Sequence, residues 1–293
     1  MALRGRWCWC LYVVVAIAGI FSAASYSQAQ FRLEARTVVE KRLKSFADDN
    51  QARENIIRKW FVESGCAKAN LSEQQARVGL PPNVICVLPG ETEETIVVGA
   101  HTDHVTDFGD GVVDNWSGAS LLPDLLFSLN GRKRHHTFVF VGFTGEEKGM
   151  VGSEYYVEQL SPEQRSRIQA MVNMDSLGLA STKVWASHAD KVLLDPLTAV
   201  AKASKLPLAT SNVENVGTTD SESFARYHIP RVTLHSVTSE NMQVLHSEDD
   251  TLSAIKMDDY YDTYHLIAEY LIYLDDVLTP APASKTDRPP TAQ

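Results

Sequence analysis

His101, Asp114, Glu147, Asp175 and His246, with Glu146 beside them, are the residue types that bind divalent metal and move protons. Two imidazoles and three carboxylates suit Zn²⁺, which takes nitrogen and oxygen donors at about 2.0–2.2 Å. They exceed the needs of one tetrahedral catalytic zinc, which holds three protein ligands and keeps a position open. They fit two zinc ions if one carboxylate bridges, each ion then having one His, one terminal carboxylate and a share of the bridge. Paired ions of this kind activate water for hydrolysis. Glu146 and Glu147 are adjacent and leave a strand in different directions, so one binds metal while the other serves as general base and acid. We assign Glu147 to the metal and Glu146 to the proton, although chemistry alone allows the exchange. Asp103, two residues beyond His101, is spaced to accept the other imidazole N–H and orient the ring.

Taken singly, these fragments are unremarkable. Asp114-Asn115 near Ser117 reads as a helix cap, Glu-Glu after a strand as a solvated loop, and His246 as a surface histidine. Their placement argues otherwise. His101-Thr102-Asp103-His104 follows the apolar run 95–100, Gly145-Glu146-Glu147 follows 137–143, Asp175-Ser176 follows 170–174, and His235-Ser236 follows 231–234. In open α/β sheets, ligands bind at the carboxyl ends of the strands, so these groups converge on one edge.

The elements that must position them alternate. Residues 31–65 hold apolar positions at helical spacing and predict two amphipathic helices broken near Asp48-Asp49-Asn50. Runs 83–88 and 95–100 are β-rich, and Pro89-Gly90 between them predicts a hairpin-like pair. Helices are expected over 117–129, 152–160, 190–204 and 257–278, and strands over 137–143, 170–174 and 231–234. Strands alternating with helices predict an α/β three-layer sandwich with a mixed, largely parallel central sheet.

The 293 residues carry a formal charge of −10, which argues against nucleic acid as a partner. Arg4 and Arg6, the apolar run 7–21 and a small, polar stretch ending Ser27-Gln28-Ala29 have the layout of a secretory signal peptide over 1–29. A single catalytic domain then spans 30–278. The expected product is secreted or periplasmic, with no stable membrane span after cleavage. Cys66 and Cys86 are the cysteines left in the mature chain, and in an oxidising compartment they are expected to pair. Residues 279–293, rich in Pro, Ala, Ser and Thr, read as a disordered tail.

The segments 97–103, 111–118, 143–147, 173–178 and 246–251 together resemble the zinc aminopeptidases of the M28 clan, over roughly residues 83–275. The resemblance implies a phosphorylase/hydrolase-like fold and two Zn²⁺ per chain. It places Asp114 between the ions, His101 with Asp175 on one, and Glu147 with His246 on the other. It makes Glu146 the base, and it implies peptide substrates with a free N-terminus. Two positions depart from the pattern: Ser221, after Thr219-Asp220, stands where the family often has His, and Trp116 stands where a small residue is usual. Both bear on substrate preference. A glutaminyl cyclase shares this fold with one zinc. A carboxypeptidase would want a cation for the substrate carboxylate, for which Arg226 and Arg231 are candidates. A non-catalytic binding protein usually loses ligands or the base, which this chain retains.

Overall fold

The computed structural model describes residues 32–214 and 217–278. The signal peptide and the tail expected from the sequence lie outside them. Eight strands, β1 (Leu71–Gln74), β2 (Asn83–Leu88), β3 (Thr95–His101), β4 (Thr137–Phe143), β5 (Ile168–Met174), β6 (Lys183–Val184), β7 (Ala209–Thr210) and β8 (Arg231–His235), form one sheet in the order β1-β2-β4-β3-β5-β8-β6-β7. The centre, β4-β3-β5-β8, is parallel, and β1, β2 and β6 pair antiparallel. This is the expected mixed, largely parallel sheet.

The helices are α1 (Arg36–Leu43), α2 (Asn50–Glu63), α3 (Ser117–Ala119), α4 (Leu122–Leu129), α5 (Val151–Gln159), α6 (Pro162–Ser166), α7 (Lys191–Ser204), α8 (Ser221–Ala225) and α9 (Met257–Val277). Side-chain alternation along the strands sorts them into two layers. Ile96, Val98 and Ala100 of β3, with Phe138 and Phe140 of β4, join a core with Leu43, Ile57, Leu126, Leu197 and Tyr264 on one face. Val97, Val139, Val141 and Phe143 pack on the other with Tyr156, Val157 and Phe224. Strands buried on both faces are what parallel βαβ packing demands.

Three local outcomes refine the expectations. Asp49 caps α2, its carboxylate accepting the Ala52 N–H at 2.7 Å, which explains the break after α1. The helix expected over 117–129 is two, because Pro123 has no N–H to continue the ladder and opens α4 instead. The hairpin expected across Pro89-Gly90 does not form, because β4 lies between β2 and β3. The linker is held by the segment entering β4: the N–H groups of Glu91 and Thr92 donate to Arg134 O and His135 O at 3.0 Å each. Gly90 lies so close to the His136 carbonyl that an added Cβ would come within 2.2 Å of its oxygen.

Cys66, after α2, is disulfide-bonded to Cys86 in β2, as expected. Among the described residues no helix is long and apolar enough to cross a membrane.

Candidate metal centre

The parallel strands β3, β4, β5 and β8 end at one edge of the sheet, and the site is built there. His101 closes β3, its side chain only 1% exposed. Its Nδ1 lies 3.0 Å from the main-chain oxygen of Asp103. A carbonyl only accepts, so Nδ1 carries the proton and Nε2 presents a lone pair. That lone pair faces Asp114 Oδ1 at 3.2 Å and Asp175 Oδ1 at 3.7 Å. An acceptor facing carboxylates in the interior requires a cation between them: a proton in the metal-free protein, a metal ion in the loaded one. Burial acts to lower the His101 pKa, but the flanking carboxylates outweigh it and raise it well above the ordinary value.

The second cluster repeats the arrangement. His246, in the loop beyond β8, has a left-handed backbone (φ 52°) and points Nε2 at Asp114 Oδ2, 3.3 Å away, and at Glu147 Oε2, 3.0 Å away. Those two carboxylates raise its pKa to about 10. Asp114 therefore turns one oxygen to each histidine. His101–Asp114–Asp175 and Asp114–Glu147–His246 each bring three ligand atoms within 4.8 Å of one another. Burial works to raise the Asp114 pKa, yet the bonds to His101 and His246 hold it below the usual carboxylate range.

Local structure aims each ligand. Asp114 sits in the tight turn Val112–Trp116, entered through left-handed Gly111. The Asp250 carboxylate accepts the N–H groups of Val113 (2.6 Å) and Asp114 (3.2 Å). Asn115 ties this turn to the exit of β5: its Oδ1 accepts from Gly118 and Ser176, and its Nδ2 donates to Met174 O at 2.8 Å. A Cβ on Gly118 would fall within 2.6 Å of that Oδ1 and 2.7 Å of Met174 O, so the turn closes only on glycine. Asp175 accepts from Ser176 Oγ (2.9 Å) and Thr219 Oγ1 (2.6 Å), and Asn173 donates to the same threonine at 2.7 Å.

Glu146 and Glu147 follow left-handed Gly145 in a short helical turn. Here Asp103 takes a different part from the one its spacing suggested. The imidazole proton goes to its carbonyl, while its carboxylate accepts the N–H groups of Glu146 (3.2 Å) and Glu147 (3.4 Å). One residue thus fixes both the first ligand and the glutamate pair. Glu146 is the most perturbed acid of the cluster: burial pushes its pKa up to about 10, with His101 opposing and Asp220, Asp175 and Asp114 adding to the rise.

The cleft over these groups is lined by Asp114, Glu146, Glu147 and Asp175 on one side, and by Trp185 and Leu245 on another. Peptidase family M28 matches residues 83–271. The chain belongs to peptidase family M28. A probable leucine aminopeptidase of Arthroderma benhamiae is 26% identical over 196 residues, 60% of this chain and 53% of that protein. This chain spans between 16% and 53% of the length of the curated aminopeptidases it matches. Solved structures that share the fold include a zinc aminopeptidase from Bacillus subtilis (TM-score 0.59, 20% identity, 65% of this chain and 49% of that one) and the glutaminyl cyclase of Porphyromonas gingivalis (0.66, 17%, 81% and 96%).

Neither of the two departures from the family pattern lines the cleft. Trp116 is fully buried away from the cleft, its indole donating to Arg42 O at 3.2 Å and tilted against Trp60. It belongs to the packing of α1 and α2. Ser221 is buried too, its hydroxyl 2.9 Å from that of Thr233. Arg226 pairs with Glu154 and Arg231 with Glu222. Neither arginine lines the cleft. Sequence reasoning missed Asp250, Asn173 and Thr219 as supports of the ligands, since a polar residue that bonds a ligand's backbone looks like any loop residue.

Proposed function

We propose that the protein is a secreted or periplasmic metallo-aminopeptidase that holds two zinc ions and hydrolyses N-terminal residues from peptides. The observation that carries this reading is Asp114, whose two oxygens face two separate histidine–carboxylate sets. His101 and Asp175 would hold one ion, Glu147 and His246 the other, with Asp114 shared. When bound, such ions polarise a scissile carbonyl, acidify water and stabilise oxyanion charge. Glu146, half-buried beside His101 and Glu147, takes the proton of the attacking water and returns it to the leaving amine. The charge of bound ions would bring its raised metal-free pKa down, leaving the carboxylate ionised to take the first proton. The surplus of carboxylates at the cleft suits the free ammonium of a peptide N-terminus.

The composition of residues 1–29 and the Cys66–Cys86 disulfide support export to an oxidising compartment. A mature N-terminus at Gln30 is expected by N-terminal sequencing.

A one-zinc glutaminyl cyclase is the second reading, favoured by the neighbour that this chain covers at 96% of its length. His101, aimed at both Asp114 and Asp175, weighs against it because a single ion in the other set leaves His101 and Asp175 without work. Elemental analysis with an aminoacyl-anilide assay distinguishes the two. Near two zinc ions per chain with chelator-sensitive hydrolysis supports the aminopeptidase. One ion, with cyclisation of N-terminal glutamine and no anilide hydrolysis, supports the cyclase.

A further inference from the structure

Glu222 and His188 lie outside the metal centre, and the hydrolytic chemistry does not use them. We propose that they form a strut that fixes the indole of Trp185 as a wall of the cleft, making Glu222 a positioning residue for selectivity toward the substrate's N-terminal side chain. This rests on the aminopeptidase reading above.

Trp185 is 4% exposed and borders the same cleft as Asp114, Glu146 and Asp175. Its main chain is anchored to β8, the N–H donating to Thr233 O at 3.1 Å. Its ring stacks on His188, with centroids 4.2 Å apart and planes 13° from parallel. His188 Nδ1 is 2.5 Å from Glu222 Oε1, and the same oxygen receives the guanidinium of Arg231. Arg231 opens β8, its N–H donating to Asp190 at 2.8 Å. A continuous line of contacts therefore runs from the sheet through Arg231, Glu222 and His188 to the indole. Without it the indole keeps its main-chain anchor and its surrounding packing but loses the fixed ring it stacks on, which widens its choice of rotamer.

Three of the polar side chains around the cleft are already committed. Thr219 and Ser176 donate to Asp175. His235 spends one ring nitrogen on Ser211 O (2.9 Å) and the other on the Val237 N–H (3.1 Å). Discrimination among side chains is left to the apolar walls, Trp185, Val213, Val237 and Leu245, of which the indole is the largest. Moving it changes the fit of a large side chain more than that of a small one.

The test compares leucyl and alanyl anilides on the zinc-loaded enzyme and its Glu222→Gln, Trp185→Ala and doubly substituted forms. Glu222→Gln should raise KM for the leucyl substrate about tenfold, with a much smaller change for the alanyl substrate and with kcat and metal content little altered. The double variant should match Trp185→Ala alone, because Glu222 acts through Trp185. His188→Asn, which leaves the Arg231–Glu222 pair intact, should reproduce the selectivity shift if Glu222→Gln fails to fold. Acrylamide quenching of Trp185 emission, taken as the difference from Trp185→Phe, should rise in Glu222→Gln. Equal losses on both substrates, or losses that multiply in the double variant, overturn the strut. If the wild-type enzyme cleaves neither anilide, the aminopeptidase reading falls; unchanged quenching then overturns the strut as well, and increased quenching upholds it.

Discussion

The two halves of the metal centre have the same composition and different foundations. His101 ends a central strand, is 1% exposed and has its second nitrogen fixed by the Asp103 carbonyl. Its partner Asp175 is gripped by two hydroxyls. His246 sits in a loop with its side chain 52% exposed. Of the described residues, those that meet its imidazole are the carboxylates with which it would share an ion. The sheet builds one half and the loop before α9 supplies the other. A ligand set placed by strands is preorganised, whereas one completed by a loop is finished when the ion arrives.

The largest expected effect concerns the residue that belongs to neither half. Glu146→Gln should lower kcat by roughly 10²- to 10⁴-fold while elemental analysis still finds the full metal content; loss of metal in that variant would move Glu146 into one of the halves. Next in size, His101→Ala should cost more stability than His246→Ala in thermal melts of the metal-free proteins, because it removes the fully buried cation that faces both Asp175 and one oxygen of Asp114. Equal melting temperatures would mean the two halves are built alike. Thr219→Val removes a donor from Asp175 and an acceptor from Asn173, touches no other candidate ligand, and should weaken one of the two proposed ions by about 10- to 100-fold in competitive chelator titration. Weakening of both ions to the same degree would show that the halves cannot be loosened separately.

The smallest effect is in pH. Burial holds the His235 pKa down to about 4, whereas its carboxylate partners raise that of His246 to about 10. A base with a depressed folded pKa gives its contribution above pH 6.5 and loses it as the pH falls towards 4. A base with a raised pKa gives its contribution in full below pH 6.5 and loses it as the pH climbs through 10. The gap in melting temperature between metal-free wild type and His246→Gln should accordingly close between pH 6.5 and 10. A gap that widens over that range would contradict the ion-pair geometry.

The site was legible in the sequence because strand exits are. Buried parallel strands stand out as short apolar runs, and the polar residues after them have few reasons to be His, Asp or Glu. Candidate ligands could be read that way, but the residues that support them could not. Asp250 acts on the backbone of Val113 and Asp114 across the fold, and Asp103 divides its carbonyl and carboxylate between two tasks. Sheet order was equally hidden. Pro89-Gly90 does end a strand, yet which strand fills the next place depends on contacts with residues 134–136. β6 and β7, two residues each, are too short for any periodicity. Trp116 shows the converse: an unusual residue inside a functional motif can be answering to the packing behind it.

Asp114 also has a thermodynamic meaning. On the two-ion reading, one carboxylate serves both histidines, so an ion in either half would set the orientation and spend the charge that the other half needs. The two binding events would therefore be linked, and whatever factor the first ion applied to the affinity of the second, the second would apply to the first. Partial occupancy in such a site is a property of the pair, and a single dissociation constant does not describe it.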